Sequence, residues 1–119
     1  SKLPKIFYVN WFRKSADNRW LWPGFGENSR VLKWIFERVT GTGRAVESAI
    51  GYLPAPGAID VQGLDVDAES MQELMRVDPR EWLDEIPGIE EHFHRFGTRL
   101  PAPLKEELKA LEKRLKKTP

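Results

Sequence analysis

Among its 119 residues the sequence has no cysteine. That excludes a disulfide scaffold, a cysteine-ligated zinc or iron–sulfur site and a thiol nucleophile, and it leans toward the reducing cytosol. An excess of charge is also lacking: 19 Lys and Arg stand against 18 Asp and Glu, a net charge of +1. Surfaces that track nucleic acid or anionic membrane need a clear basic excess, so neither partner is expected. Long apolar runs are absent. No stretch approaches the roughly 18 residues of a membrane span, and no signal-peptide pattern opens the chain. There is no initiator Met. The chain begins Ser-Lys-Leu-Pro and enters an apolar block at once, so an excised segment of a longer protein is expected.

Apolar residues make up 40% of the chain and charged residues 31%, inside the range of globular domains. The aromatic count is uneven. Of five Trp, six Phe and two Tyr, nine lie in the thirty residues from Phe7 to Phe36.

The pattern predicts an α+β segment: a short N-terminal β-hairpin with a Gly-rich loop over 5–30, then a mainly helical C-terminal half. Residues 5–12 are β-branched and aromatic without Gly or Pro, which predicts a strand. The polar stretch 13–19 reads as its turn and Trp20-Leu21-Trp22 as a short return, with both indoles on one face by strand alternation. Pro23-Gly24-Phe25-Gly26-Glu27 forms a loop, and Asn28 or Ser29 caps a helix that runs to about Thr40. Leu32, Ile35, Phe36 and Val39 give that helix one buried face, and Gly41 stops it. A turn-rich stretch over 41–64 holds a short strand near 49–53. A helical tail spans 67–117. Asp67 caps a helix carrying Met71, Leu74 and Met75. Asp78-Pro79-Arg80-Glu81 is a second start signal. Trp82, Ile86, Ile89, Phe93 and Phe96 keep one phase across Pro87-Gly88, predicting a single kinked helix over 79–96. Pro103 opens the last helix, with Leu104, Leu108, Leu111 and Leu115 as its stripe and Glu112→Lys116 as a favourable pair.

The candidate site lies in the aromatic block. Opposed aromatic faces suit a flat ring, and stacking a base is worth about 1–3 kcal/mol without telling one base from another. Discrimination needs directed hydrogen bonds, and the Asn28 amide has both donors and acceptor. A Phe between two glycines is awkward in a core, since both glycines cost entropy. The same residues also read as an ordinary aromatic core beneath a helix-capping Asn.

The runs Pro4-Lys5-Ile6-Phe7-Tyr8-Val9-Asn10-Trp11-Phe12-Arg13 and Leu21-Trp22-Pro23-Gly24-Phe25-Gly26-Glu27-Asn28-Ser29-Arg30-Val31-Leu32, with Ile50-Gly51-Tyr52-Leu53-Pro54, resemble GTP-dependent phosphoenolpyruvate carboxykinases. The resemblance extends over roughly residues 3–117. It implies the C-terminal portion of an α/β nucleotide-binding domain. The parent would be a cytoplasmic or mitochondrial enzyme of gluconeogenesis, a decarboxylating lyase. Such an enzyme interconverts oxaloacetate and GTP with phosphoenolpyruvate, GDP and carbon dioxide, using manganese and magnesium. Cytoplasmic localisation is expected. The resemblance further implies that Phe12, Trp20 and Phe25 form the guanine slot, with Asn28 reading the base, Gly26 and Glu27 in the same run, and Trp11 and Trp22 in support. Trp20 departs from the Phe expected there and would reshape the slot.

No Gly-x-x-x-x-Gly-Lys-[Ser/Thr] run occurs, and Gly41-Thr42-Gly43-Arg44 lacks the lysine. The family's metal ligands and oxaloacetate-binding arginines are expected upstream, leaving no catalytic or metal residues here and the segment inactive alone. Glu91-x-x-His94 has di-iron spacing but a single copy, and reads as a solvated face. His92 and His94 lie nearly opposite on a helix and cannot share a metal. Asp65-x-Asp67-x-Glu69 lacks the glycine and terminal Glu of a calcium loop. The tail Lys113–Lys117 reads as a solvated helix end. Two function classes follow: a segment that binds guanine nucleotide and joins the rest of its enzyme, or a non-catalytic helical interaction module docking by its leucine stripe. Exposed strand edges and apolar faces predict self-association.

Overall fold

A computed structural model describes residues 2–118. In chain order the elements are a 3-10 turn at Phe25–Glu27, α1 (Asn28–Thr40), β1 (Ala45–Ser48), β2 (Gly51–Pro54), α2 (Ala68–Met75), α3 (Pro79–His94), a second 3-10 turn at Gly97–Arg99, and α4 (Ala102–Lys117). Two strands joined by a two-residue turn form the sheet found among the described residues. The chain divides into two compact units. One takes the stretch up to Val46 with Tyr52–Arg76; the other takes Glu47–Gly51 with the stretch from Val77 onward.

The first unit is built round Trp22, Trp34 and Ile59, with Phe7, Trp11, Val31, Ile35, Met71 and Leu74 packed against them. Trp34 meets the edge of Phe7 at 6.1 Å and 84°. Its buried indole N–H would be costly unpaired, and it donates to the Arg44 carbonyl at 2.8 Å. Gly41 ends α1 in the left-handed region at φ 87°, where glycine carries no Cβ penalty. Beyond it the N–H groups of Thr42 and Gly43 both donate to the Glu37 carbonyl, at 2.8 and 2.9 Å. In α2 the Asp67 carboxylate accepts from the Ser70 N–H at 2.7 Å, as its sequence signal predicts.

The N-terminal hairpin does not form. Lys5–Phe12 finds no partner strand among the described residues, and Ile6, Tyr8 and Phe12 are exposed. β-propensity describes how a side chain fits a pleated, half-buried surface, and without a neighbouring strand there is no ladder to hold it. Side chains tether the segment instead: Lys5 Nζ donates to the Arg38 carbonyl at 3.1 Å, and Arg13 Nη1 donates to the Arg76 carbonyl at 3.2 Å. The predicted turn survives as a single bridge between Lys14 and Trp20. It is closed by Ser15 N–H to Arg19 O at 2.8 Å and Leu21 N–H to Arg13 O at 3.0 Å. Because the chain bends at Leu21 and Trp22, strand alternation fails there: Trp20 is 57% exposed and Trp22 is 5% exposed.

Three other expectations change. The strand near 49–53 is a hairpin, with residues 49–50 at its turn. Neither Asn28 nor Ser29 caps α1; the 3-10 turn leads directly into it, with Glu27 at the cap position and no side-chain cap bond. The buried face of α1 centres on Trp34, with Val31 and Ile35 beside it, while Leu32, Phe36 and Val39 face outward.

In the second unit α3 and α4 pack on each other. α3 starts as predicted, with the Asp78 side chain accepting from the Arg80 N–H and Pro79 in the first turn. It is one helix that runs through Pro87 and ends at His94. α4 begins at Ala102, with Pro101 at the cap position. Ile86 and Leu115 are the buried side chains of these two helices. Arg114 Nε donates to the Ala49 carbonyl at 2.9 Å, tying the hairpin turn to α4, and Lys116 pairs with Glu112 at 2.6 Å.

Candidate functional site

The six residues matched to a base slot lie between Phe12 and Asn28, in the first unit, and the fold brings some of them together. Phe12 and Trp20 meet edge to face, centroids 5.9 Å apart at 66°. The Lys14–Trp20 bridge sets their approach, and Lys14 Nζ stands 4.3 Å from the Trp20 ring centre. Two rings in edge contact make one aromatic wall, not two walls of a slot.

Phe25 stands apart from that wall, with no ring partner among the described residues. It is 96% exposed and sits at φ 50°, directly after Gly24 at φ 78°. A left-handed backbone at a residue with a Cβ costs about 1–2 kcal/mol, and so exposed a ring regains almost none of it by burial. Gly-Phe-Gly was the sequence signal for this turn, since the flanking glycines let the chain reverse around the ring.

Gly26 and Glu27 serve the loop itself. The Gly26 carbonyl accepts from Ser29 Oγ at 2.8 Å, and the Glu27 N–H donates to the Gly24 carbonyl at 3.1 Å. The Glu27 carboxylate receives Arg30 Nε, whose Nη1 also donates to the Asp60 carbonyl at 3.0 Å. Asn28 opens α1, and its Oδ1 accepts from Trp22 Nε1 at 2.9 Å. The Asn28 Nδ2 group has no partner among the described residues. Sequence reasoning missed this Trp22–Asn28 bond; a buried indole six residues before an amide, across a Pro-Gly bend, was the signal available.

The carboxylates whose ionisation is shifted lie elsewhere on the surface. The Ser15 hydroxyl, helped by Arg19, holds Asp17 below the ordinary carboxylate range. Ser70, through its N–H and then its hydroxyl, does the same for Asp67. Arg76, followed by Arg13, does so for Glu73. All three are ionised partners in caps and ion pairs, unsuited to general acid work at neutral pH. Among the described residues no group of three or more His, Cys, Asp or Glu is placed to hold a metal ion. No helix among them is long and apolar enough to cross a membrane.

A family described as "Phosphoenolpyruvate carboxykinase C-terminal P-loop domain" matches residues 1–114. The chain is 56% identical over 117 residues to phosphoenolpyruvate carboxykinase [GTP] of Neocallimastix frontalis, covering 98% of the chain and 19% of that protein. It is 52% identical over 114 residues to the Treponema pallidum (strain Nichols) protein of the same name, covering 95% and 18%. Against the Paenarthrobacter aurescens protein, identity is 51% over 114 residues, covering 96% and 19%. The chain therefore belongs to the GTP-dependent phosphoenolpyruvate carboxykinase family. It spans about a fifth of the length of these relatives.

Proposed function

We propose that this chain supplies the guanine-recognising part of a GTP-dependent phosphoenolpyruvate carboxykinase, a decarboxylating lyase of gluconeogenesis acting in the cytoplasm. The enzyme interconverts oxaloacetate and GTP with phosphoenolpyruvate, GDP and carbon dioxide. In this reading Phe12 and Trp20 form one aromatic wall, Phe25 closes on the opposite face of the base, and Asn28 reads its edge. Gly26 and Glu27 hold the loop that carries Phe25. The observation that carries the reading is Phe25, 96% exposed on a left-handed backbone. A large ring held outward at a conformational cost is explained by a flat ligand that covers it.

The phosphates and the metal ions are held by residues outside this chain, in the remainder of the enzyme. The sequence contains no Gly-x-x-x-x-Gly-Lys-[Ser/Thr] run, and phosphoryl transfer depends on positioning and charge neutralisation that such a loop and its metal provide. The chain alone transfers no phosphoryl group. Stacking at about 1–3 kcal/mol per base, with a few hydrogen bonds, corresponds to a dissociation constant of ~1 mM.

A fluorescence titration tests this. GTP and GDP are expected to quench the tryptophan emission saturably near millimolar concentration, and ATP much less. A flat response to all three removes the base site from this chain.

One observation favours a contact surface beside the nucleotide role. Leu32, Phe36 and Val39 form an exposed stripe on α1, which the rest of the enzyme would cover. Isolated, the chain is expected to self-associate through it, and light scattering that shows a clean monomer at high concentration removes that expectation. The leucine stripe of α4 is a poorer docking face, because its last member, Leu115, is 1% exposed.

A further inference from the structure

We propose that Trp22 is a positioning residue that decides which end of the Asn28 amide meets a bound base, so that the site accepts an exocyclic carbonyl oxygen and refuses an amino group. This rests on the base-site reading above and adds the source of its selectivity.

An indole N–H donates and cannot accept. Trp22 Nε1 donates to Asn28 Oδ1 at 2.9 Å, so the oxygen end of the amide is turned toward the indole with one of its two lone pairs engaged. Rotating the amide by half a turn would set Nδ2 donors against the indole donor. Trp22 is 5% exposed, and water has little access to satisfy an N–H left unpaired there, which makes the rotated state costly. The indole itself cannot swing away, because it belongs to the buried cluster with Trp34 and Ile59.

With the oxygen held, the two N–H bonds of Nδ2 point away from the indole. They have no partner among the described residues, and Asn28 lies one helical turn beyond the exposed Phe25. In this proposal a base stacked on Phe25 meets those donors. Guanine offers O6 and N7 as acceptors on one edge, whereas adenine carries an amino donor in the O6 position. An asparagine free to rotate would satisfy either base. Trp22 removes that freedom and converts an ambiguous side chain into a one-sided reader.

The test compares GTP, ITP and ATP by calorimetric titration of the full chain. ITP keeps the O6 carbonyl and lacks the 2-amino group, so it isolates the contact in question. The unaltered chain is expected to bind GTP and ITP in preference to ATP. In Trp22→Phe, which keeps an aromatic ring and loses the donor, the GTP:ATP preference is expected to fall about tenfold, with ATP binding gaining. Asn28→Asp keeps an acceptor for the indole and replaces the outward donors with oxygen. It is expected to lose GTP and ITP binding at least tenfold while its melting temperature stays near that of the unaltered chain. Should Trp22→Phe fail to fold, Asn28→Asp and hydrogen exchange carry the test: the Trp22 indole proton is expected to exchange slowly in the unaltered chain and in Asn28→Asp, and rapidly in Asn28→Ala.

Unchanged GTP:ATP preference in folded Trp22→Phe overturns the proposal while leaving the base site standing. So does an Asn28→Asp variant that binds GTP like the unaltered chain. An unaltered chain that binds no nucleotide overturns the base-site reading itself, and this proposal with it.

Discussion

Helices α1 and α4 carry the same kind of apolar stripe, stepping by three and four residues, and the fold treats them differently. On α4 the stripe runs from half-exposed Leu104 to Leu115, the most deeply buried side chain of its unit, and α3 packs against the helix that carries it. On α1 Leu32, Phe36 and Val39 stay in solvent, and burial falls on Trp34 with Val31 and Ile35 beside it. Periodicity thus identifies a helix with an apolar face, but it does not say whether a neighbour exists to cover that face. The largest side chain with a hydrogen-bond partner available wins the core, which in α1 is Trp34 with its bond to the Arg44 carbonyl.

The largest expected effect lies on the covered stripe. Leu115→Ala removes a side chain that is 1% exposed and is expected to cost about 2–5 kcal/mol in chemical denaturation; a cost under about 1 kcal/mol would erase the difference between the two helices. Next comes Gly43→Ala, which asks whether α1 is fixed by its backbone closure instead of its stripe. A Cβ at Gly43 would lie 2.8 Å from the Arg38 backbone nitrogen, so the closing turn must shift, at a cost of about 1–3 kcal/mol. Phe25→Gly should go the other way, raising stability by up to about 1 kcal/mol as the left-handed strain is relieved, while guanine-dependent quenching disappears. Loss of stability there would mean that the ring is packed, not poised.

The cap of α2 gives a pH signature. Ser70 holds the Asp67 carboxyl below its ordinary value when folded. The folded-state value is thus lower than the unfolded one, so its contribution is fully present above the unfolded value. It is lost as pH falls from about 5 through the lowered folded value. Asp67→Ala should lower the melting temperature at neutral pH, and the gap from the unaltered chain should close as pH falls through the lowered folded value. The smallest effect on stability is expected at Phe36→Ser, within about 0.5 kcal/mol, accompanied by reduced self-association in light scattering.

Much of the helical half was legible because its signals are local. Asp67, Asp78-Pro79 and Gly41 mark ends through groups one to four residues away, and the phase of Trp82, Ile86 and Ile89 across Pro87 predicted one helix. The N-terminal strand was not legible, since Lys5–Phe12 has the residues of a strand and no neighbour to pair with. The same limit applied to the site. The aromatic run and the Gly-Phe-Gly turn make Phe25 and Asn28 candidates. That Trp20 turns outward to meet Phe12 while Trp22 turns inward to meet Asn28 depends on a bend at residues 21–22, which no periodic pattern encodes.

The sequence by itself determined the family and the helix boundaries that Asp67, Asp78 and Gly41 mark. These follow from residue identity and from interactions within a turn or two. Only the tertiary structure decided which apolar face is buried, which indole is core and which is surface, and which way the Asn28 amide is turned. Each of these depends on what stands opposite the side chain in space: a packed interior for Leu115, a carbonyl for Trp34, an indole donor for Asn28. Burial and hydrogen-bond satisfaction are settled between partners distant in sequence, or across bends that propensity does not foresee.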